Sequence, residues 1–197
     1  MGKWFVTMAG LAMLAVVPAQ GQSGPEGEKF IAAVREFNGA VAVPMLQAPG
    51  SRIANYKGHD GETGLHIATR AKKVAWIEAM LIHDADPDIL DKDGETALHI
   101  AIRNDHLEAV DRLLAFDADP NLGNRWGETP AILAVQLRRP DILESLLEEG
   151  ADPDKVDHAG GMSARQYAAR DTRNPELLAI IEKTQAQPKL EFGPILR

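Results

Sequence analysis

There is no cysteine in the 197 residues. That excludes disulfides, thiolate-bound zinc, iron–sulfur clusters, thiol catalysis and a lipid anchored on cysteine. Positive charge is also in short supply. Lys and Arg number 21 against 29 Asp and Glu, for a net charge of -8. A nucleic-acid backbone needs a basic face, so this balance argues against one as the main partner, and equally against docking on an anionic membrane. The short signatures of chemistry are missing as well. No His-Glu-x-x-His, no Gly-x-Ser-x-Gly, no glycine-rich phosphate loop and no metal-type pairing of histidines occurs. Long apolar runs are absent beyond one, Trp4–Val17. As a helix that run would span about 21 Å, short of the roughly 30 Å of a bilayer core. What remains is 45% apolar and 25% charged, the composition of a soluble globular domain.

The first residues are a different substance from the rest. "MGKWFVTMAGLAMLAVVPAQGQSG" places Lys3 before the apolar run, breaks it at Pro18 and continues in small residues. That is the layout of a secretory leader, expected over 1–21 with cleavage after Ala19 or Gly21. Export agrees with the missing thiols, since a free thiol is a liability in an oxidising compartment.

Past the leader, the chain repeats itself. Asp60–Ala68 reads "DGETGLHIA" and Asp93–Ala101 reads "DGETALHIA". Thr63, Thr96 and Thr129 stand 33 apart, as do Leu81, Leu114 and Leu147, and Ile77, Val110 and Leu143. The pairs Asp86-Pro87, Asp119-Pro120 and Asp152-Pro153 keep the same step. A fourth copy carries one extra residue, with Ser163 at the Thr position, Ala168 at the Ala position and Leu177 and Ile181 at apolar ones. Gly160-Gly161 absorbs the insertion. Within a unit, Asp-Gly signals a turn and Thr96 is placed to cap a short helix beginning at Leu98. Leu107, Val110, Leu113 and Leu114 form the stripe of a second helix, which Pro120 forbids from continuing. Neither helix is long enough to stand alone in water, so neighbouring copies must cover each other.

A unit of this length with Thr-x-x-His, a mid-helix Ala and an "ADPN" exit resembles the ankyrin repeat. The resemblance runs from about Gly58 to Lys183 and implies an all-α solenoid of turn–helix–helix units. The expected organisation is a degenerate capping repeat over 25–57, four repeats over 58–184 and an extended tail over 185–197. Pro44 is expected in the first turn of the cap's second helix, where a missing N–H costs nothing. Later copies depart from the pattern: His66 and His99 become Ile132 and Gln166, so the turn bonds built on this His should weaken or reroute. Gly64 stands where the family uses a small residue or Pro, and should weaken its helix by a few tenths to about 1 kcal/mol.

The six histidines are explained without chemistry. His66 and His99 hold the Thr-x-x-His position, and His106 the family's pre-helix position. His59 and His158 fall at turn tips, and His83 near a helix end where a cation suits the dipole. Asp-x-Asp strings such as Asp84-Ala85-Asp86 and Asp91-Lys92-Asp93 lack the downstream Glu of a calcium loop. No catalytic group, cofactor or metal is expected.

The resemblance instead implies protein–protein binding through a concave face lined by turn tips and first helices. The positions it carries over are His59, Asp60, Glu62, Arg70 and Ala71 in the first clear unit, and Lys92, Asp93, Glu95, Arg103 and Asn104 in the second. The third gives Arg125, Trp126, Glu128, Gln136 and Leu137; the fourth gives His158, Ala159, Arg170 and Asp171. Glu62, Glu95 and Glu128 make one column beside Arg70 and Arg103. Trp126 is the expected anchor, because an indole replaces Asp60 and Asp93 at its tip. The tail around Phe192 is either a cap or a docking strand. The expected molecule is an exported monomer, periplasmic or secreted, that binds a protein. The alternatives are an accessory to a periplasmic oxidative-stress enzyme and a secreted effector acting on a host protein.

Overall fold

The computed structural model describes residues 24–186. The leader and nearly all of the expected tail lie outside them. Ten α-helices follow one another: α1 Pro25–Arg35, α2 Gly39–Leu46, α3 Gly64–Arg70, α4 Val74–Ile82, α5 Ala97–Arg103, α6 Leu107–Ala115, α7 Pro130–Gln136, α8 Pro140–Glu148, α9 Ala164–Arg170 and α10 Pro175–Ala186. A 3₁₀ turn, Ile53–Asn55, joins α2 to the first clear repeat. Among the described residues the nearest approach to a strand is one isolated bridge, Val156 with Ser163. The fold is an all-α solenoid of hairpins.

The first helix of each of the four clear repeats begins on a hydroxyl. The side chains of Thr63, Thr96, Thr129 and Ser163 accept from the backbone N–H three residues on, satisfying a donor that the helix itself leaves free. In the first two repeats the third residue is His, and its Nδ1 returns the favour by accepting from the Thr backbone N–H, at 3.2 Å in the Thr63–His66 pair. Ile132 keeps only the outward half of this arrangement. Gln166 restores the whole of it, its Oε1 accepting from Ser163 N–H at 3.0 Å. The rerouting expected from the sequence is therefore confined to one unit.

Helices end in left-handed residues at the same register. Lys72, Asp105 and Arg138 have φ of 55°, 52° and 56°, while Asp84, Asp117 and Gly150 have 59°, 62° and 96°. The N–H just beyond each reaches back to a carbonyl in the helix, as Ala118 does to Leu113 at 3.1 Å. This closes the orphan carbonyls and reverses the chain.

Two rows of helices result. α1, α3, α5, α7 and α9 stack in one, and α4, α6, α8 and α10 in the other. Small residues of the first row (Ala68, Ala101, Ala134 and Ala168) are buried, as are Ile77, Val110 and Leu143 of the second. A column along the exits ties the units together. Side-chain oxygens of Asn55, Asp88 and Asn121 accept from the backbone N–H of Asp86, Asp119 and Asp152, at 2.7, 2.9 and 2.6 Å. The cap joins through Phe37, whose ring meets Trp76 edge-on at 5.6 Å.

Three expectations change. Pro44 lies inside α2, beyond its first turn. The carbonyl it cannot serve belongs to Ala40, an exposed residue, so the lost donor leaves no buried polar group behind. Leu107 is 37% exposed although its stripe partners Val110, Leu113 and Leu114 are buried. It is the first residue of α6 and borders an open hollow shared with Asp141 and Glu144 of α8, which leaves it partly in solvent. Gly64 is more than a weak helix start. A Cβ there would stand 3.1 Å from both Met80 Sδ and Phe30 Cε1, so its bareness lets the cap's phenyl ring pack onto α3.

Candidate partner-binding surface

Between the hairpins the chain runs out into fingers, and each finger is tied at its base. Asp91 N–H donates to Glu95 O at 2.9 Å, and Asn124 N–H to Glu128 O at 3.0 Å. Inside the loop, Asp91 Oδ1 accepts from the N–H groups of Asp93 and Glu95 at 2.8 and 3.0 Å. Asn124 does the same for Trp126 and Glu128. Asp157 takes Gly160, Met162 and the Tyr167 hydroxyl. Burial raises the proton affinity of the Asp157 carboxyl, but these donors outweigh it and hold the group below its ordinary range. These three residues were missed by reading the sequence for partner contacts. Their signal was present, an Asp or Asn five residues before the capping hydroxyls Thr96 and Thr129 and, across the insertion, six before Ser163.

The glycine at each tip has a second task. Gly61, Gly94 and Gly127 have φ of 77°, 74° and 74°. A Cβ on Gly94 would fall 2.8 Å from Arg125 Cβ, and one on Gly127 equally close to the His158 ring. Fingers thus nest, each glycine lying under a side chain of the next.

The charged columns turn inward upon each other. Arg70 pairs with Glu62 at 2.7 Å and Asp91 at 3.3 Å. Arg103 pairs with Glu95 at 2.5 Å and reaches Glu128 at 3.7 Å. Arg35 of the cap pairs with Asp60 and lies 3.9 Å from Glu62. The side chains of Glu62, Glu95 and Glu128 keep only 17, 11 and 18% of their exposure. Glu128 is further held by Asn124 Nδ2 at 2.8 Å. This carboxylate column serves the chain's own arginines.

Trp126 stands apart from that ladder. It is 45% exposed. Its backbone alone makes the turn, with N–H on Asn124 Oδ1 at 2.9 Å and its carbonyl accepting from His158 N–H at 2.9 Å. The Arg125 guanidinium lies 5.3 Å from the centre of the indole ring and donates to the carbonyl of Lys92. Asp93 is 4.0 Å from the same guanidinium. The structure therefore brings Trp126, Arg125 and Asp93 together at one pair of tips. Gln136 and Leu137 lie further down, at the end of α7, with Gln136 against the Tyr167 hydroxyl. His59 pairs with Glu28 at 2.6 Å, and Asp171 with Arg138 at 2.8 Å.

A family model described as ankyrin repeats (3 copies) matches residues 30–122, 65–157 and 104–184. The chain belongs to the ankyrin-repeat family. No curated protein matches it. Ankyrin repeats generally mediate protein–protein interactions and are typically binding scaffolds without an activity of their own. In this ankyrin protein the histidines of the repeat are framework. His66 Nε2 faces Glu95 O, and His99 Nε2 faces Glu128 O. Burial lowers the pKa of His66 and pushes that of His99 down to about 4, so both are neutral. No group of three or more His, Asp or Glu among the described residues is arranged to hold a metal. No described helix is long and apolar enough to cross a membrane.

Proposed function

We propose that this ankyrin-repeat protein is exported, to the periplasm or beyond the cell, and there captures a protein partner as a monomer. The surface is the tips and the first-helix row of its third and fourth repeats, with Trp126 as the anchor. One observation carries the reading. The indole stands in water where the two preceding tips place Asp60 and Asp93, yet every bond of its turn is made by backbone and by Asn124. The fold does not require an indole there. Burying one at an interface can be worth about 2 kcal/mol or more. Arg125, stacked on the ring, keeps the anchor from collapsing onto the finger and limits the rotamer freedom lost on binding.

The test is capture of partners from the exported fraction, with mass spectrometry, by the wild-type protein and by Trp126→Asp. The substitution restores what the neighbouring tips use. Helicity and melting temperature should hold while capture of the specific partner falls about tenfold or more. A drop of many degrees in melting temperature would instead make Trp126 a packing residue and remove the anchor.

A further inference from the structure

Among the described residues the ion-pair ladder stops at the fourth repeat, and the stop leaves an arginine without a carboxylate. At successive repeats the last residue of the first helix is Arg70, Arg103, Gln136 and Arg170. Arg70 and Arg103 each have two carboxylates within 4 Å. The finger column supplies Glu62 to Arg70 and Glu95 and Glu128 to Arg103, while Asp91, at the base of the second finger, is the second partner of Arg70. The column reads Glu62, Glu95 and Glu128 and then changes to Met162. The fourth finger, closed by Asp157 N–H on Met162 O, has no acid at that step. Arg170 is exposed and makes no ion pair among the described residues. Its neighbour Asp171 is engaged by Arg138, and Glu128 is held by Asn124 and Arg103.

Arg170 also borders two hollows. One, of about 430 Å³, is lined by Gly160, Gly161, Met162 and Gln166; the other, of about 330 Å³, by Val135, Gln136 and Tyr167. The floor between them is fixed. The Tyr167 hydroxyl is 2.7 Å from Asp157, and Gly160 leaves it room, since a Cβ there would sit 2.7 Å from the same oxygen.

We propose that Arg170 is the receptor for a carboxylate of the protein partner, so that the partner segment lying along the third and fourth repeats is acidic and carries an apolar side chain for Trp126. The inference rests on the binding surface proposed above and specifies its ligand. The same guanidinium position is filled twice by the chain's own acids, in a geometry of arginine and carboxylate that this fold builds. At the fourth repeat no described acid stands at that finger step, while the arginine, the hollows and the hydrogen-bonded pair of Tyr167 and Asp157 remain. An incoming Asp or Glu completes the ladder. Gln136, which replaces the intervening arginine, and Tyr167 supply neutral polar contacts beside it. Arg suits this role because its planar fork takes a carboxylate with two parallel bonds.

The probe is a phage-displayed library of random dodecapeptides, selected on the full protein and read by sequencing and by calorimetric titration of the best synthetic peptide. Selected peptides should be rich in Asp and Glu beside an aromatic or aliphatic residue, and their binding should weaken with salt. Arg170→Glu should lower affinity about tenfold or more, with melting temperature lowered by only a few degrees, since no described carboxylate pairs with the side chain and it loses only its interaction with the end of α9. Arg173→Glu, with the same change of charge on an exposed residue nearby, should stay within about twofold. Selection without acidic bias, no selection at all, or an Arg170→Glu protein that binds as well as wild type overturns the proposal. Trp126→Asp separates the two readings. If it abolishes binding while Arg170→Glu does not, the surface stands and the carboxylate site falls.

Discussion

His66 Nε2 lies 3.2 Å from the carbonyl oxygen of Glu95, which belongs to the following repeat. On its other side Nδ1 accepts from Thr63 N–H and from the Thr63 hydroxyl at 2.7 Å. The ring therefore carries its proton on Nε2 and donates it forward. A second proton on Nδ1 would set donor against donor. His99 repeats the arrangement with Thr96 and Glu128.

This makes the array pH-sensitive. The folded pKa of His99 is about 4, below the ordinary 6.5. A depressed pKa means that the unfolded chain binds the proton more readily. The stability held by neutral His99 is complete above about pH 6.5 and is lost as pH falls toward 4, by an amount on the order of 3 kcal/mol. Urea melts between pH 7.5 and 4.5 should show the decline, and His99→Gln should flatten it. Gln is the residue the fourth repeat uses to rebuild the cap, so the variant remains folded. An unchanged pH profile would mean that the imidazole is not held neutral by the fold.

Leu114 is 7% exposed between α6 and its neighbours. Leu114→Ala should cost about 2–5 kcal/mol. Coupling in a solenoid runs between nearest neighbours, so hydrogen exchange should quicken in both flanking repeats as well. A loss below about 1 kcal/mol would place this leucine on the wrong face.

Gly94 has φ of 74° and lies under Arg125. Gly94→Ala meets both a left-handed backbone and a clash with Cβ of the next finger, and should lower stability by at least about 1–2 kcal/mol. Thermal denaturation measures it; an alanine tolerated without loss would show that the fingers do not nest.

Asp117 is the opposite case. It holds φ of 62° with no side-chain bond among the described residues, and the third repeat places Gly150 at the same step. Asp117→Gly should raise stability by a few tenths to about 1 kcal/mol, the left-handed strain relieved less the entropy of glycine. Chemical denaturation that finds a loss instead would assign the aspartate a hidden role.

Export has its own measurement. The mature protein should begin at Gln20 or Gln22 and be recovered outside the cytoplasm, as N-terminal sequencing of the fractionated cell would report. Met1 or Gly2 on cytoplasmic protein would overturn it.

The repeat was legible because a 33-residue step is strict where each side chain must meet its equivalent one unit along. Thr63, Thr96 and Thr129 could be named as caps, and Leu81, Leu114 and Leu147 as core, from spacing alone. Pro44 and Leu107 were misplaced because both sit at edges, where water competes with packing and periodicity carries no information on which wins. The candidate surface was half legible. Trp126 declared itself by interrupting a column of Asp. That Glu62, Glu95 and Glu128 would be consumed by Arg70 and Arg103 was open, since columns of opposite sign read the same whether they face each other or a partner. Arg170 was legible as a concave-face position of the fourth unit, but not as an arginine left without a finger acid. Its solitude depends on Met162 replacing an acid across a one-residue insertion, which shifts the register just where the comparison has to be made.

The forward-pointing imidazoles give the array a direction in time. His66 and His99 each donate to a carbonyl made later in synthesis, so a growing or translocating chain exposes an unanswered donor at its leading unit until the next unit arrives. Every such unit is chemically unfinished and is completed by its successor. Ile132 breaks the relay. A unit built on it has no imidazole donor awaiting its successor, and the third repeat is tied to the fourth through the Trp126 carbonyl, the Arg138 side chain and packing.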